Sequence, residues 1–78
     1  MPEPVPSILA KARAVLESVP EVRLAWIYGS FAEGKQTPES DLDIAVAGAA
    51  PLLPEERVRL AARVSQAVSR EVDLGDMT

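Results

Sequence analysis

The chain reads as one α+β domain in the order αβαβαβ, a three-stranded mixed sheet flanked by helices. Three observations predict this. Two segments carry apolar residues at the 3.6-residue helical period, and three short runs alternate with the period of two that a half-buried strand requires. Proline- and glycine-containing punctuation separates these segments, and helical and strand patterns alternate along the chain, as they do in layered domains where helices cover a sheet.

Taken in order, residues 1–6 carry three prolines and predict an extended lead-in, with Ser7 placed to cap a helix. That helix, over residues 7–19, puts Ile8, Leu9, Ala12, Val15, Leu16 and Val19 on one face and Lys11, Arg13, Glu17 and Ser18 on the other, and Pro20 ends it. Residues 22–28 form the first strand. Val22, Leu24, Trp26 and Tyr28 share one face and Arg23, Ala25 and Ile27 the other; Trp26, a lone aromatic at strand period, reads as core rather than as a base-stacking platform. Residues 31–40, with Gly34, Lys35, Thr37 and Pro38, read as a loop with one helical turn at its start. The second strand, 41–47, turns Leu42, Ile44 and Val46 inward.

Pro54 opens the second long helix, with Glu55 and Glu56 complementing its N-terminus, and the pattern runs to about Arg70. Leu60, Ala61, Val64, Ala67 and Val68 make its buried stripe; Arg59, Arg63, Gln66 and Arg70 make a basic face that reads as solvated. In the third strand, 71–76, Glu71 and Asp73 share one face and Val72 and Leu74 the other, with Asp76 at the surface.

Composition narrows the chemistry. With no Cys and no His, a disulfide framework, thiolate or imidazole metal ligation and the Ser-His-Asp or Cys-His triads are excluded, so carboxylates are the acid–base and metal groups available. A net charge of −4 opposes generic nucleic-acid binding, which needs Lys and Arg to displace counterions. No apolar run approaches a membrane span and the N-terminus lacks a signal-peptide pattern, so the expected location is the cytoplasm.

The stretch from Trp26 to Val46 concentrates the candidate chemistry. Gly29 follows a β-rich run, where the absence of Cβ permits a sharp turn and close approach to a ligand; Ser30 adds a hydroxyl and a backbone N–H. If a short helix starts there, its first amides suit phosphate oxygens. Asp41 and Asp43, two apart on a strand, share a face opposite Leu42 and Ile44, and such a pair is costly unless a cation sits between them. Hard oxygen ligands of this kind suit Mg²⁺ bound jointly with substrate phosphates.

These residues (Gly29, Ser30, Ala32, Gly34, then Asp41 and Asp43) resemble the signature of the DNA polymerase β-like nucleotidyltransferase superfamily, most closely its minimal nucleotidyltransferases. Glu33 departs from the pattern at a position where Arg is common, with Lys35 as the alternative positive charge. The resemblance implies Asp73 as the third carboxylate, Gly29, Ser30 and Lys35 on the nucleotide phosphates, and two Mg²⁺ ions held by Asp41, Asp43 and Asp73. The three carboxylates are then expected to converge beside Ser30 on a site open to solvent. The resemblance further implies transfer of a nucleoside monophosphate, AMP from ATP, to a hydroxyl of a helical HEPN-type partner, as the antitoxin of a toxin–antitoxin pair. A catalytically weak module that neutralises such a partner by occupying it is the competing expectation. Minimal nucleotidyltransferases usually continue into a further helical segment, so residues 1–78 read as a single domain that is naturally minimal or C-terminally truncated.

Overall fold

The structure is a computed structural model and describes residues 4–37 and 39–78; the lead-in at 1–3 and Pro38 of the loop lie outside the described residues. The elements are α1 (Val5–Glu17), β1 (Leu24–Tyr28), α2 (Ser30–Glu33), β2 (Leu42–Ala47), α3 (Pro54–Val68) and β3 (Val72–Asp76). The sheet order is β1-β2-β3; β1 pairs antiparallel with β2, and β2 pairs parallel with β3 across the α3 crossover. The expected α+β architecture with a three-stranded mixed sheet is the one observed.

The element ends differ from expectation for local reasons. Helix α1 starts at Val5, because the Pro4 carbonyl accepts from the N–H groups of Ser7 and Ile8 at 3.0 and 3.2 Å. Pro6 sits in the first turn, where a missing N–H costs nothing and the fixed φ is already helical. Ser7 is therefore inside the helix rather than its cap. At the other end Ser18 turns its hydroxyl onto the Val15 carbonyl at 2.6 Å, two residues before Pro20, and the helix stops at Glu17. Helix α3 begins at Pro54 as expected, with the Glu56 side chain accepting from the Leu53 N–H at 2.9 Å. It ends at Val68, because Ser69 adopts the left-handed conformation at φ 55°.

Both long helices lie on the same face of the sheet. Ile8, Ala12 and Leu16 of α1, Leu60, Val64 and Val68 of α3, and Leu42, Ile44, Val46 and Leu74 of the sheet form one core, which Phe31 of α2 joins. Fully burying an aliphatic side chain stabilises by about 1.5–3 kcal/mol, so the core's force is concentrated in β2, whose Leu42, Ile44, Ala45 and Val46 are all inaccessible or nearly so. The consequence for β1 contradicts the expectation for Trp26. The face that carries Leu24, Trp26 and Tyr28 has no helix over it, and Trp26 is 44% exposed. Ile27 points to the helix side instead and packs against the core.

Asp76 is a structural clamp rather than a free surface group. Its carboxylate accepts from the Leu52 N–H at 2.6 Å and the Thr78 N–H at 3.0 Å, which ties the segment before α3 to the end of β3. The Thr78 hydroxyl, then the Leu52 and Thr78 amides, hold the Asp76 carboxyl below its ordinary pKa. A depressed folded-state pKa means that the stabilisation is fully present above the unfolded value of about 3.9 and is lost as pH falls through the folded value. Asp76→Asn should therefore flatten the acid limb of a plot of urea midpoint against pH, and an acid limb identical to wild type would show that the clamp contributes nothing.

Candidate active site

The site grows from the turn between β1 and α2. Gly29 takes φ 74° and ψ −148°, a region that residues with a Cβ do not readily enter. A Cβ at this position would also run into the Asp43 carboxylate, whose Cγ would lie 3.2 Å from it. Bare backbone at Gly29 is thus what lets Asp43 lie against the turn. The turn is fixed by Phe31, buried two residues on, and by backbone bonds from the Glu33 N–H to the Gly29 carbonyl at 3.1 Å and from the Lys35 N–H to the Ser30 carbonyl at 2.9 Å. The N–H groups that open α2 have no intrahelical acceptor, as at any helix start.

Strand register supplies the rest. Tyr28 pairs with Asp43 and Asp43 with Asp73, so these three residues stand in a row across the sheet on the face without helices. Asp43 is half-buried and Asp73 exposed. Asp41, also exposed, precedes β2 by one residue. Its backbone is held from behind: Arg70 donates from Nη1 to the Ser40 carbonyl at 3.0 Å while its guanidinium lies 5.0 Å from the Phe31 ring centroid. Arg70 therefore braces the α2 turn and the approach to Asp41 together, and is not part of a solvated basic face.

The expectation of three converging carboxylates is met only by the Asp43–Asp73 pair that register guarantees. Among the described residues no three carboxylates lie close enough to grip one ion. The donor set nonetheless fits a hard divalent cation, being all oxygen, anionic and at the open face. Lys35 is exposed just beyond Gly34, which caps α2 in the left-handed conformation, so it stands at the far end of the turn from Gly29.

Two residues with a bearing on the site were not apparent as such in the sequence. Tyr28 read simply as a strand residue, although a hairpin that brings Gly29 to Asp43 must bring its neighbour Tyr28 there too. Arg70 read as one of four residues on a polar helix face, and its tuck beneath Phe31 depends on α3 stopping at Val68.

A glycine-serine turn packed against one of two aligned carboxylates, on the open face of a mixed sheet, sets backbone N–H groups of the kind that suit phosphate oxygens beside carboxylates of the kind that suit a cation. The family model described as polymerase beta, nucleotidyltransferase matches residues 10–78, and the chain belongs to that family. Nucleotidyltransferases of this family generally use a divalent metal. Among individual proteins, the chain is 36% identical over 61 residues to a protein adenylyltransferase, MntA, of Shewanella oneidensis, a match covering 78% of this chain and 44% of that protein. It is also similar to a toxin–antitoxin crystal structure with AMP-PNP, at a TM-score of 0.80 and 35% identity, covering 86% of this chain and 55% of the other. A third similarity is to a complex of a tri-AMPylated Shewanella oneidensis HEPN toxin with its MNT antitoxin, at a TM-score of 0.69 and 27% identity, covering 90% and 56%. The chain thus spans about half the length of the relatives it matches.

Proposed function

We propose that this chain is a nucleotidyltransferase that moves AMP from ATP to a hydroxyl of a HEPN-type helical partner and acts as the antitoxin of that pair in the cytoplasm. The observation that carries the reading is the Asp43 carboxylate lying against the bare backbone of Gly29, with Asp73 beside it in register. The relatives support the nucleotide and the partner, since one is named an adenylyltransferase and another is seen with an AMPylated HEPN toxin.

In this reading the amides and hydroxyl at Gly29 and Ser30 hold the distal phosphates, and Lys35 adds positive charge at the end of the turn. The acceptor oxygen attacks the α-phosphorus, the bond from that phosphorus to the bridging oxygen breaks, and pyrophosphate leaves. Asp73, exposed beside Asp43 in the register, takes the hydroxyl proton. Asp41, Asp43 and Asp73 are the residues to hold two Mg²⁺ ions, which when bound neutralise the charge that builds on the phosphoryl oxygens. The alternative, a binding module that neutralises its partner by occupancy, draws on Glu33, whose exposed carboxylate sits in the phosphate-facing turn.

The test is calorimetric titration of ATP into the chain with and without Mg²⁺, together with labelled-nucleotide transfer to a co-expressed HEPN-type protein. ATP should bind more tightly with Mg²⁺, because the ion dehydrates reluctantly and relies on phosphate oxygens to complete its shell. Label should appear on the partner. A tight complex without transfer would replace this reading with the binding module, and ATP binding indifferent to Mg²⁺ would remove the metal role.

A further inference from the structure

We infer that Tyr28 is itself an acceptor, so that the chain adenylylates its own Tyr28 hydroxyl when no partner occupies the open face. The inference rests on the nucleotidyltransferase reading above and adds a modification site to it. Three features of the structure lead to it. Tyr28 is the direct register partner of Asp43, which is in turn the partner of Asp73, so the phenol rises from the same face and the same row as the two carboxylates. Its ring leans across the sheet toward β3, since the hydroxyl lies 3.9 Å from where a Cβ on Gly75 would stand, with the Met77 Cε 3.4 Å from the same point. The phenol is also 36% exposed and has no hydrogen-bond partner among the described residues.

The electrostatics agree with this placement. Desolvation, then Asp73, then Asp43 raise the pKa of the phenol above its ordinary value. Asp43 and Asp73 are the carboxylates of that row, and Asp73 lies on the strand toward which the ring leans. The step balances as for any acceptor: the phenol oxygen bonds to the α-phosphorus of ATP, the bond to the bridging oxygen breaks, pyrophosphate departs and the phenol proton passes to Asp73. The product is a tyrosyl–AMP ester that covers the open face, so the modified chain should be a poorer donor to its partner.

The experiment incubates the purified chain with ATP and Mg²⁺, without any partner, and follows intact mass and then peptide mapping. Tyr28 is the sole tyrosine of the chain, so the assignment is unambiguous. One nucleotide per chain is expected, on Tyr28, with a rate constant unchanged on dilution because donor site and acceptor share a molecule; Tyr28→Phe should remain unmodified. No adduct, an adduct on another residue, an adduct that persists in Tyr28→Phe, or a rate that scales with protein concentration would overturn the proposal. Running partner transfer in parallel separates the two readings: transfer to the partner with no Tyr28 adduct rejects only self-modification, and failure of both rejects the enzymatic reading as well.

Discussion

Asp43→Asn should cost nucleotide transfer on the order of a thousandfold or more while leaving the protein at least as stable as wild type. The side chain keeps its shape, so the amide can occupy the space against Gly29 that the carboxylate fills now. What disappears is one anionic oxygen from the donor set. Electrostatic stabilisation of a transferring phosphoryl group is worth several kcal/mol, and each 1.36 kcal/mol is tenfold in rate, which sets the size of the expected loss. Stability should move the other way. Asp43 and Asp73 are direct cross-strand neighbours of like charge, and relieving such a pair stabilises by about 0.2–1 kcal/mol. Thermal melting in metal-free buffer, paired with a transfer assay, reads both quantities. Equal transfer by the two proteins would sink the catalytic assignment, and a large drop in melting temperature would show that Asp43 is chiefly a structural residue.

Gly29→Ala should fail on both counts. Alanine at φ 74°, ψ −148° carries backbone strain of about 1–3 kcal/mol. Its methyl would in addition displace the Asp43 carboxylate. In a domain of this size each kcal/mol moves the melting temperature by about 4–8 °C, so a loss of several degrees to about 20 °C is expected together with loss of transfer. Gly34→Ala is the comparison at positive φ without the collision, in the milder left-handed region at ψ 21°. Gly34 has a similar φ of 71°, but a Cβ there would meet nothing within 4 Å. That variant should lose about 1–2 kcal/mol from left-handed strain and keep its transfer activity. If Gly29→Ala and Gly34→Ala lose transfer equally, the close approach of Gly29 to Asp43 is not what the chemistry needs.

The core of α3, Leu60, Val64 and Val68, could be read directly from helical period, and so could the inward set Leu42, Ile44 and Val46 of β2. Gly29 and Ser30 were found by their position after a β-rich run, and Asp41 and Asp43 by their spacing. Trp26 was misplaced for an identifiable reason. Strand β1 is apolar on both faces, with Leu24, Trp26 and Tyr28 on one and Ala25 and Ile27 on the other, so alternation gives two faces without saying which meets the helices. The larger residues stayed outside because α1 and α3 both pack on the face that β2 presents with Leu42, Ile44 and Val46, and β1 must follow the pleat of its neighbour.

By itself, then, the sequence determined the elements, their order, and which residues share a face, because helical and strand periods are local properties of the chain. It also determined the chemistry open to the protein, since a chain without Cys or His has carboxylates as its metal and acid–base groups. Tertiary structure alone decided the row Tyr28–Asp43–Asp73, the contact of Asp43 with Gly29, and the brace of Arg70 on Phe31 and Ser40. Each of these depends on the register between strands distant in sequence or on where a helix stops. Register is set by the best burial of the whole sheet against both helices, a global condition that no local pattern contains.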